Sequence, residues 1–191
     1  MTDFSPIKGI LQEICDCAVQ ALGQFWNLTD FHPKAMHEPF MASYVFDRLG
    51  CKFSMAPELM VRTIWDWNNP GKPLPLGVKP QRRIDLTLFQ PQNFPKEDQH
   101  TWCLVEFKRN WGIENDCWRV KSLLPLLQSP FGAACGVLAE TEASVRDWLP
   151  KETPPGASFV ISKQLDVNID GKLCSFVVAG YLFASAAPTG A

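Results

Sequence analysis

The chain has no excess of basic residues and no long apolar run, and each absence excludes a class of protein. Its 18 Lys and Arg residues against 20 Asp and Glu leave a formal net charge of −2, so any contact with nucleic acid must come from a local basic patch. No apolar run approaches the ~18 residues of a membrane span, and the first residues lack the basic flank and apolar core of a signal peptide. We therefore expect a cytoplasmic protein without a membrane partner.

The sequence also lacks the short motifs typical of disulfide-rich, zinc-binding, nucleotide-binding and serine-hydrolase proteins. The seven cysteines are odd in number and include no Cys-x-x-Cys pair, which argues against a disulfide framework or a zinc ribbon. The sequence contains neither a Walker-type Gly-rich loop nor a Gly-x-Ser-x-Gly elbow.

A length of 191 residues, 46% of them apolar, predicts a single domain over 1–191 with a substantial core. Alternating helical and extended patterns predict an α/β fold, a mixed sheet with helices packed on it. The predicted helices are 6–22, Pro39 to Leu49, 113–127 and Glu142 to Leu149. The predicted strands are Lys52 to Met55, Leu59 to Trp65, Arg83 to Phe89, Trp102 to Lys108 and Ala133 to Leu138. A hairpin over 158–183 turns at Asp170-Gly171, and a loose tail covers 185–191.

The two central strands each have an apolar face and a face that carries charge, because side chains alternate along a strand. On the first strand, Asp85 and Thr87 share the charged face, and the apolar face consists of Ile84, Leu86 and Leu88. On the second strand, Glu106 and Lys108 share the charged face, and the apolar face consists of Cys103, Val105 and Phe107.

Antiparallel pairing of these strands predicts that Asp85 lies opposite Glu106. That register also places Gln90 opposite Thr101, so that 91–100 forms the connecting loop. Opposed side chains have Cβ atoms roughly 4.5–5.5 Å apart, and two carboxylates at that spacing repel each other unless a cation lies between them. Oxygen ligands of this kind suit Mg²⁺ or Mn²⁺.

Lys108 projects from the same face as Glu106, two residues further along the strand. A lysine beside a metal site can orient a water molecule and neutralise charge in a phosphorane-like transition state. Two carboxylates, a metal ion and a lysine are a complete set for phosphodiester hydrolysis.

This arrangement resembles the PD-(D/E)xK nuclease superfamily, which has the restriction-endonuclease-like fold. The resemblance covers about 38–138 and is carried by Ile84-Asp85-Leu86 and Val105-Glu106-Phe107-Lys108, within an α-β-β-β-α-β order of elements. Ile84 departs from the pattern, since proline often precedes the first acidic residue.

The resemblance implies a Mg²⁺- or Mn²⁺-dependent nuclease acting on nucleic acid, with DNA as the expected form. Asp85 and Glu106 would hold the metal, Lys108 would position water, and Glu38 would complete the catalytic set from the preceding helix. The side chains expected at the nucleic acid are Arg82, Arg83, Arg109, Arg119 and Lys121, with Trp111 and Trp118 as stacking candidates whose commoner use is core packing.

Several alternatives stay open at this stage. The charged strand face is also compatible with an ordinary solvated surface, and Glu38 with a carboxylate that stabilises a helix N-terminus. Asp116 is compatible with pairing along its own helix. The chain is also compatible with a catalytically inactive domain of the same fold that binds nucleic acid or protein, or with an assembly domain. A homodimer or a partner protein is left open.

Overall fold

The computed structural model describes most of the chain. Two predicted elements, the loop over 91–100 and the helix from Glu142 to Leu149, lie outside the described residues. The described residues are 3–29, 32–90, 101–110, 112–140 and 154–185. The elements are α1 (Ser5–Thr29), α2 (Glu38–Leu49), β1 (Met55–Met60), α3 (Val61–Asn68), β2 (Arg83–Phe89), β3 (Thr101–Lys108), α4 (Glu114–Leu126), β4 (Phe131–Glu140), β5 (Ala157–Ile161), β6 (Leu165–Ile169) and β7 (Lys172–Ala184). Of the predicted tail, 186–191 also lies outside these ranges.

The seven strands of the described residues form one mixed sheet in the order β1-β2-β3-β4-β7-β5, with β6 also paired to β7. β2 is antiparallel to both of its neighbours, β1 and β3, and β4 is parallel to β3 after the α4 crossover. α1 and α2 pack over one buried cluster, while α3 and α4 pack over another. The predicted α/β architecture is therefore confirmed at the level of a mixed sheet flanked by helices.

The two central strands match their predictions closely. β2 has the predicted bounds, and β3 begins one residue early, at Thr101. Leu86 and Leu88 pack in the cluster under α1 and α2, as expected for the apolar face. Ile84 instead packs in the cluster under α3 and α4, so the apolar face is interrupted at the start of β2.

The predicted strand from Leu59 to Trp65 is wrong, because most of it is helix α3. Val61, Ile64 and Trp65 are buried at helical spacing, and Arg62 and Asp66 form a one-turn ion pair at 2.7 Å. Pro57 lies inside β1, where proline is tolerated because, among the strands that the structure describes, β1 pairs only with β2 and so forms an edge of the sheet.

Helix α1 is longer than the predicted 6–22 because its apolar stripe does not stop at Leu22. Phe25 and Trp26 follow at the next helical positions and pack against the same cluster. No helix within the described ranges has the length and apolar character that crossing a bilayer demands.

The predicted first arm of the C-terminal hairpin is two strands, since β5 and β6 pair with successive halves of β7 in registers that differ by one residue. The register changes between Ser162 and Leu165, directly after Ser162, whose hydroxyl oxygen accepts the Val178 N–H at 2.9 Å. The predicted turn is confirmed: Asp170 and Gly171 both have positive φ, as a type I′ turn requires.

Gly180 of β7 gives the first testable prediction, on stability. A Cβ built there would lie 2.5 Å from the Ala134 carbonyl oxygen and 2.7 Å from the Cys135 Sγ. We expect Gly180→Ala to lower the free energy of unfolding by about 1–3 kcal/mol, because strand backbone must move to admit the methyl group. The matched control is Gly9→Ala in α1, where a Cβ meets open space; it should stabilise by about 1 kcal/mol. Equal urea midpoints for the two variants would contradict this account of the β4–β7 contact.

Candidate metal and active site

A cavity of about 590 Å³ lies at the end of the sheet where β2 begins and β3 finishes. Because the two strands are antiparallel, the start of one and the end of the other meet there. The wall contains three acidic and five basic side chains: Glu38, Asp85 and Glu106, with Lys79, Arg82, Arg83, Lys108 and Arg119; Gln81 and Phe107 complete it. The structure therefore brings together all four residues predicted to be catalytic.

The strand register places the two central carboxylates side by side. Leu86 with Val105 is the last pair of β2 and β3 at this end, and continuing the same register by one step brings Asp85 beside Glu106, whose pKa its charge raises. The Asp85 Oδ2 accepts the Phe107 backbone N–H at 2.7 Å, which fixes this carboxylate against β3.

The other end of the predicted register is wrong by one residue. Phe89, rather than Gln90, lies opposite Thr101, because a bulge follows Leu88. The bulge lies four residues beyond Asp85, so it leaves the carboxylate pair in register.

Burial and mutual repulsion hold protons on this carboxylate pair. Glu106 is only 2% exposed, and burial, followed by the neighbouring Asp85 charge, raises its pKa from 4.5 to about 8. Burial also raises the pKa of Asp85 from 3.8 to about 6, although the Phe107 N–H opposes the shift. Raised carboxylate pKa values in a cleft are typical of functional sites.

Arg119 of α4 supplies a positive charge to the buried carboxylates. Its Nη2 lies 2.5 Å from the Glu106 Oε2 and 2.8 Å from the Asp116 Oδ1. Asp116 is itself buried, and its Oδ2 lies 3.7 Å from the Lys108 Nζ. Asp116 thus pairs with Arg119 within its own helix, which is one of the alternatives considered from the sequence, and it also lies near Lys108.

Glu38, the first residue of α2, reaches the same cavity from a different element. Its Oε1 accepts the backbone N–H of Arg109 at 3.3 Å, which links the start of α2 to the end of β3. The Glu38 side chain therefore contacts the end of β3 and lines the cavity, in addition to lying at the N-terminus of its own helix.

The five basic residues predicted to contact nucleic acid do not all reach the cavity. Arg82, Arg83 and Arg119 form part of its wall. In the described structure Arg109 is exposed outside this wall, and Lys121 lies over the Phe183 ring, 4.5 Å from its centroid. Three of the five basic residues predicted to contact nucleic acid therefore line the cavity, and the other two do not.

Sequence reasoning missed Glu58 on β1. The pairs on either side of it, Pro57 with Leu86 and Leu59 with Ile84, place Glu58 beside Asp85, and its charge contributes to the raised pKa of Asp85. Glu58 has a φ of 55°, a left-handed conformation that non-glycine residues rarely adopt. Neither the strand pattern nor the helix pattern signals such a conformation in advance.

The carboxylate oxygens fit a hard divalent cation, although they are not already arranged around one. Within the described structure, the Glu106 Oε1 and the Glu58 Oε1 are buried without a hydrogen-bond partner, and Mg²⁺ or Mn²⁺ favours such oxygens. Over the same residues, no group of three or more His, Cys, Asp or Glu side chains is preset as an ion site. Arg119 contacts the Glu106 Oε2, so an ion that used both oxygens of this carboxylate would compete with the guanidinium.

Comparison with known proteins found no match, so the proposed function is based on the geometry of this site. No protein-family model, curated protein or solved structure matches this chain.

The carboxylate pair predicts an unusual dependence of stability on pH. In the unfolded chain Glu106 and Asp85 lose their protons near their ordinary pKa values of 4.5 and 3.8, whereas the folded protein holds them until about pH 8 and 6. Their contribution to stability is thus complete below about pH 4 and is lost as pH rises to about 8. Since one pKa unit corresponds to about 1.4 kcal/mol, we expect a loss of a few kcal/mol across this range.

Comparison of urea unfolding in wild type and Glu106→Gln from pH 5 to 8.5 checks this prediction. The glutamine variant should lose most of the slope, because its neutral amide does not titrate. Glu13→Gln, a change at an exposed ion pair with Lys52, should keep the wild-type slope. A wild-type protein that gains stability between pH 5 and 8 relative to Glu106→Gln would contradict the raised pKa values.

Proposed function

We propose that the protein is a divalent-metal-dependent nuclease that hydrolyses phosphodiester bonds in DNA. The observation that carries the proposal is the convergence of Asp85, Glu106 and Lys108 on one cavity with a basic wall. An ordinary solvated strand face would leave these charges exposed, whereas Glu106 is buried. Burying a carboxylate in this way is costly and is a recurrent property of catalytic sites.

The order of elements around the cavity supports the same proposal. Helix α2 precedes β1, β2 and β3, and α4 leads into β4, which is the α-β-β-β-α-β order of the PD-(D/E)xK superfamily. The residues that carry the resemblance lie on the two middle strands of that unit. α3 is inserted between β1 and β2 and packs on the face opposite α2.

Each residue of the cavity has a role in the proposed mechanism. Asp85 and Glu106 would hold Mg²⁺, which when bound supplies Lewis-acid activation of a phosphate oxygen. Lys108 orients the attacking water and stabilises negative charge as it develops on the phosphate. Glu38, which also lines the cavity, would accept a hydrogen bond from that water.

Nucleic acid is the substrate that the remaining surface suits best. Lys79, Arg82 and Arg83 line the cavity, where they can bind backbone phosphates. Trp118 is 74% exposed on α4, next to Arg119, so the expectation that it packs in the core is wrong. An exposed indole on the helix that supplies Arg119 to the cavity is suited to stacking on a base.

Incubation with supercoiled plasmid tests the proposed function. We expect wild-type protein to nick the plasmid with Mg²⁺ or Mn²⁺ and to stop when a chelator is added. Absence of nicking with either metal, on plasmid and on single-stranded DNA alike, would reject the nuclease.

A catalytically inactive DNA-binding domain is the second candidate, and the ion pair between Arg119 and Glu106 favours it. A guanidinium that permanently replaces the metal would leave the basic cavity able to bind DNA without cleaving it. Gel-shift binding without cleavage across several metals would select this candidate. A stable oligomer with no affinity for DNA at low salt would instead select an assembly domain.

A further inference from the structure

Arg119 places its positive charge against Glu106, one of the two carboxylates of the proposed metal site. A single nitrogen, Nη2, bridges the Glu106 Oε2 at 2.5 Å and the Asp116 Oδ1 at 2.8 Å. Both carboxylates are buried, so a positive charge between them offsets the cost of removing them from water. A divalent ion bound to Glu106 would compete with the guanidinium for the same carboxylate.

The guanidinium also has unused hydrogen-bonding capacity. Within the described structure the Arg119 Nε is buried and has no hydrogen-bond partner, although an arginine offers five N–H donors. Arg119 forms part of the cavity wall, where a substrate phosphate would lie. Phosphate oxygens suit the planar fork of a guanidinium better than they suit an ammonium group.

Asp116 gives Arg119 an anchor that does not depend on Glu106. The two residues are one turn apart on α4, so their contact at 2.8 Å can persist when the guanidinium leaves the strand. Arg119 would then stay at the cavity with its charge available to another anion.

We propose that Arg119 is the internal cation that a divalent ion displaces from Glu106 and that, once displaced, it binds the substrate phosphate while Asp116 anchors it. This inference rests on the proposed metal site and deepens it, because it couples ion binding to DNA binding. Arg119 is thus a substrate-binding residue that is available only when the ion is bound.

Mn²⁺ binding, measured by calorimetry and by the electron paramagnetic resonance of free Mn²⁺, tests the first half. Arg119→Met removes the competing charge at similar length, so we expect Mn²⁺ to bind roughly 10-fold more tightly than to wild type. Arg48→Met is the matched control, because Arg48 lies over Tyr44 in a separate cleft and should leave Mn²⁺ affinity unchanged. Equal or weaker Mn²⁺ binding by Arg119→Met overturns the inference.

Binding of a DNA oligonucleotide with and without Ca²⁺ tests the second half. Wild type should bind DNA more tightly when Ca²⁺ is present, and Arg119→Met should lose most of that gain. An undiminished gain in the variant overturns the phosphate role. If Arg119→Met does not fold, as judged by its thermal unfolding, Arg119→Lys replaces it, since it keeps a charge but loses the fork.

The outcomes separate this inference from the proposed function. Wild type that binds Mn²⁺ and nicks DNA, with no tightening in Arg119→Met, rejects only the role of Arg119. Wild type that binds no Mn²⁺ rejects the metal site itself and this inference with it.

Discussion

Lys108→Ala is expected to reduce plasmid nicking by roughly 10²- to 10⁴-fold, the contribution typical of a positioned acid–base group. The lysine shares the cavity with Asp85 and Glu106 but is not proposed to ligate the metal. Mn²⁺ binding should therefore persist in the variant, so that a loss of catalysis is separated from a loss of the ion. The measurement is the initial rate of nicking under saturating Mg²⁺, with Mn²⁺ calorimetry on the same preparation.

Lys172→Ala is the matched control for this prediction. Lys172 is exposed on the β6–β7 hairpin and lies outside the cavity wall, so its loss should leave the nicking rate unchanged. Equal rates in wild type and Lys108→Ala would point to a contaminating nuclease and would remove the proposed activity.

Asp85→Ala is expected to abolish the calorimetric signal of Mn²⁺ binding. Asp85 provides one of the two proposed metal carboxylates, and Glu106 alone, paired to Arg119, is a poor site for a hard cation. The substitution also deprives the Phe107 N–H of its acceptor, so thermal unfolding must accompany the titration.

Asp66→Ala provides the comparison for Asp85→Ala. Asp66 is an exposed carboxylate paired with Arg62 on α3, and its removal should leave the Mn²⁺ signal as in wild type. Undiminished Mn²⁺ binding by a folded Asp85→Ala protein would show that the ion, if bound, lies elsewhere than between β2 and β3.

The antiparallel pairing of the two central strands could be predicted from the sequence. Leu86 pairs with Val105 as the predicted register requires, and this register, continued by one step, brings Asp85 beside Glu106 despite errors at the strand ends. The bulge after Leu88 illustrates this tolerance, since it moves Thr101 by one position without altering the carboxylate pair.

The partners of the buried charges could not be predicted in the same way. The contact between Arg119 and Glu106 joins a helix to a strand, and it depends on the packing of α4 across β3 and β4. Glu58 reaches Asp85 through a left-handed backbone conformation that its residue type does not favour. Both features are consequences of tertiary structure, which local patterns do not encode.

Two errors arose where a local pattern was ambiguous. The β-branched and aromatic residues Val61, Ile64 and Trp65 favour a strand by type, but their spacing suits the helix that they form against the second cluster. Trp118 was expected in the core because tryptophan is usually buried there, yet the inward face of α4 is taken by Cys117 and Val120.

The position of β4 has a consequence for incomplete chains. β4 pairs with β3 on one side and with β7 on the other, and β7 begins more than 30 residues after β4 ends. Until those later residues are synthesised, β4 presents a row of unpaired backbone groups bordered by apolar side chains. Such an edge is a template for intermolecular strand addition, so nascent or truncated chains ending near residue 140 should aggregate unless a chaperone covers them.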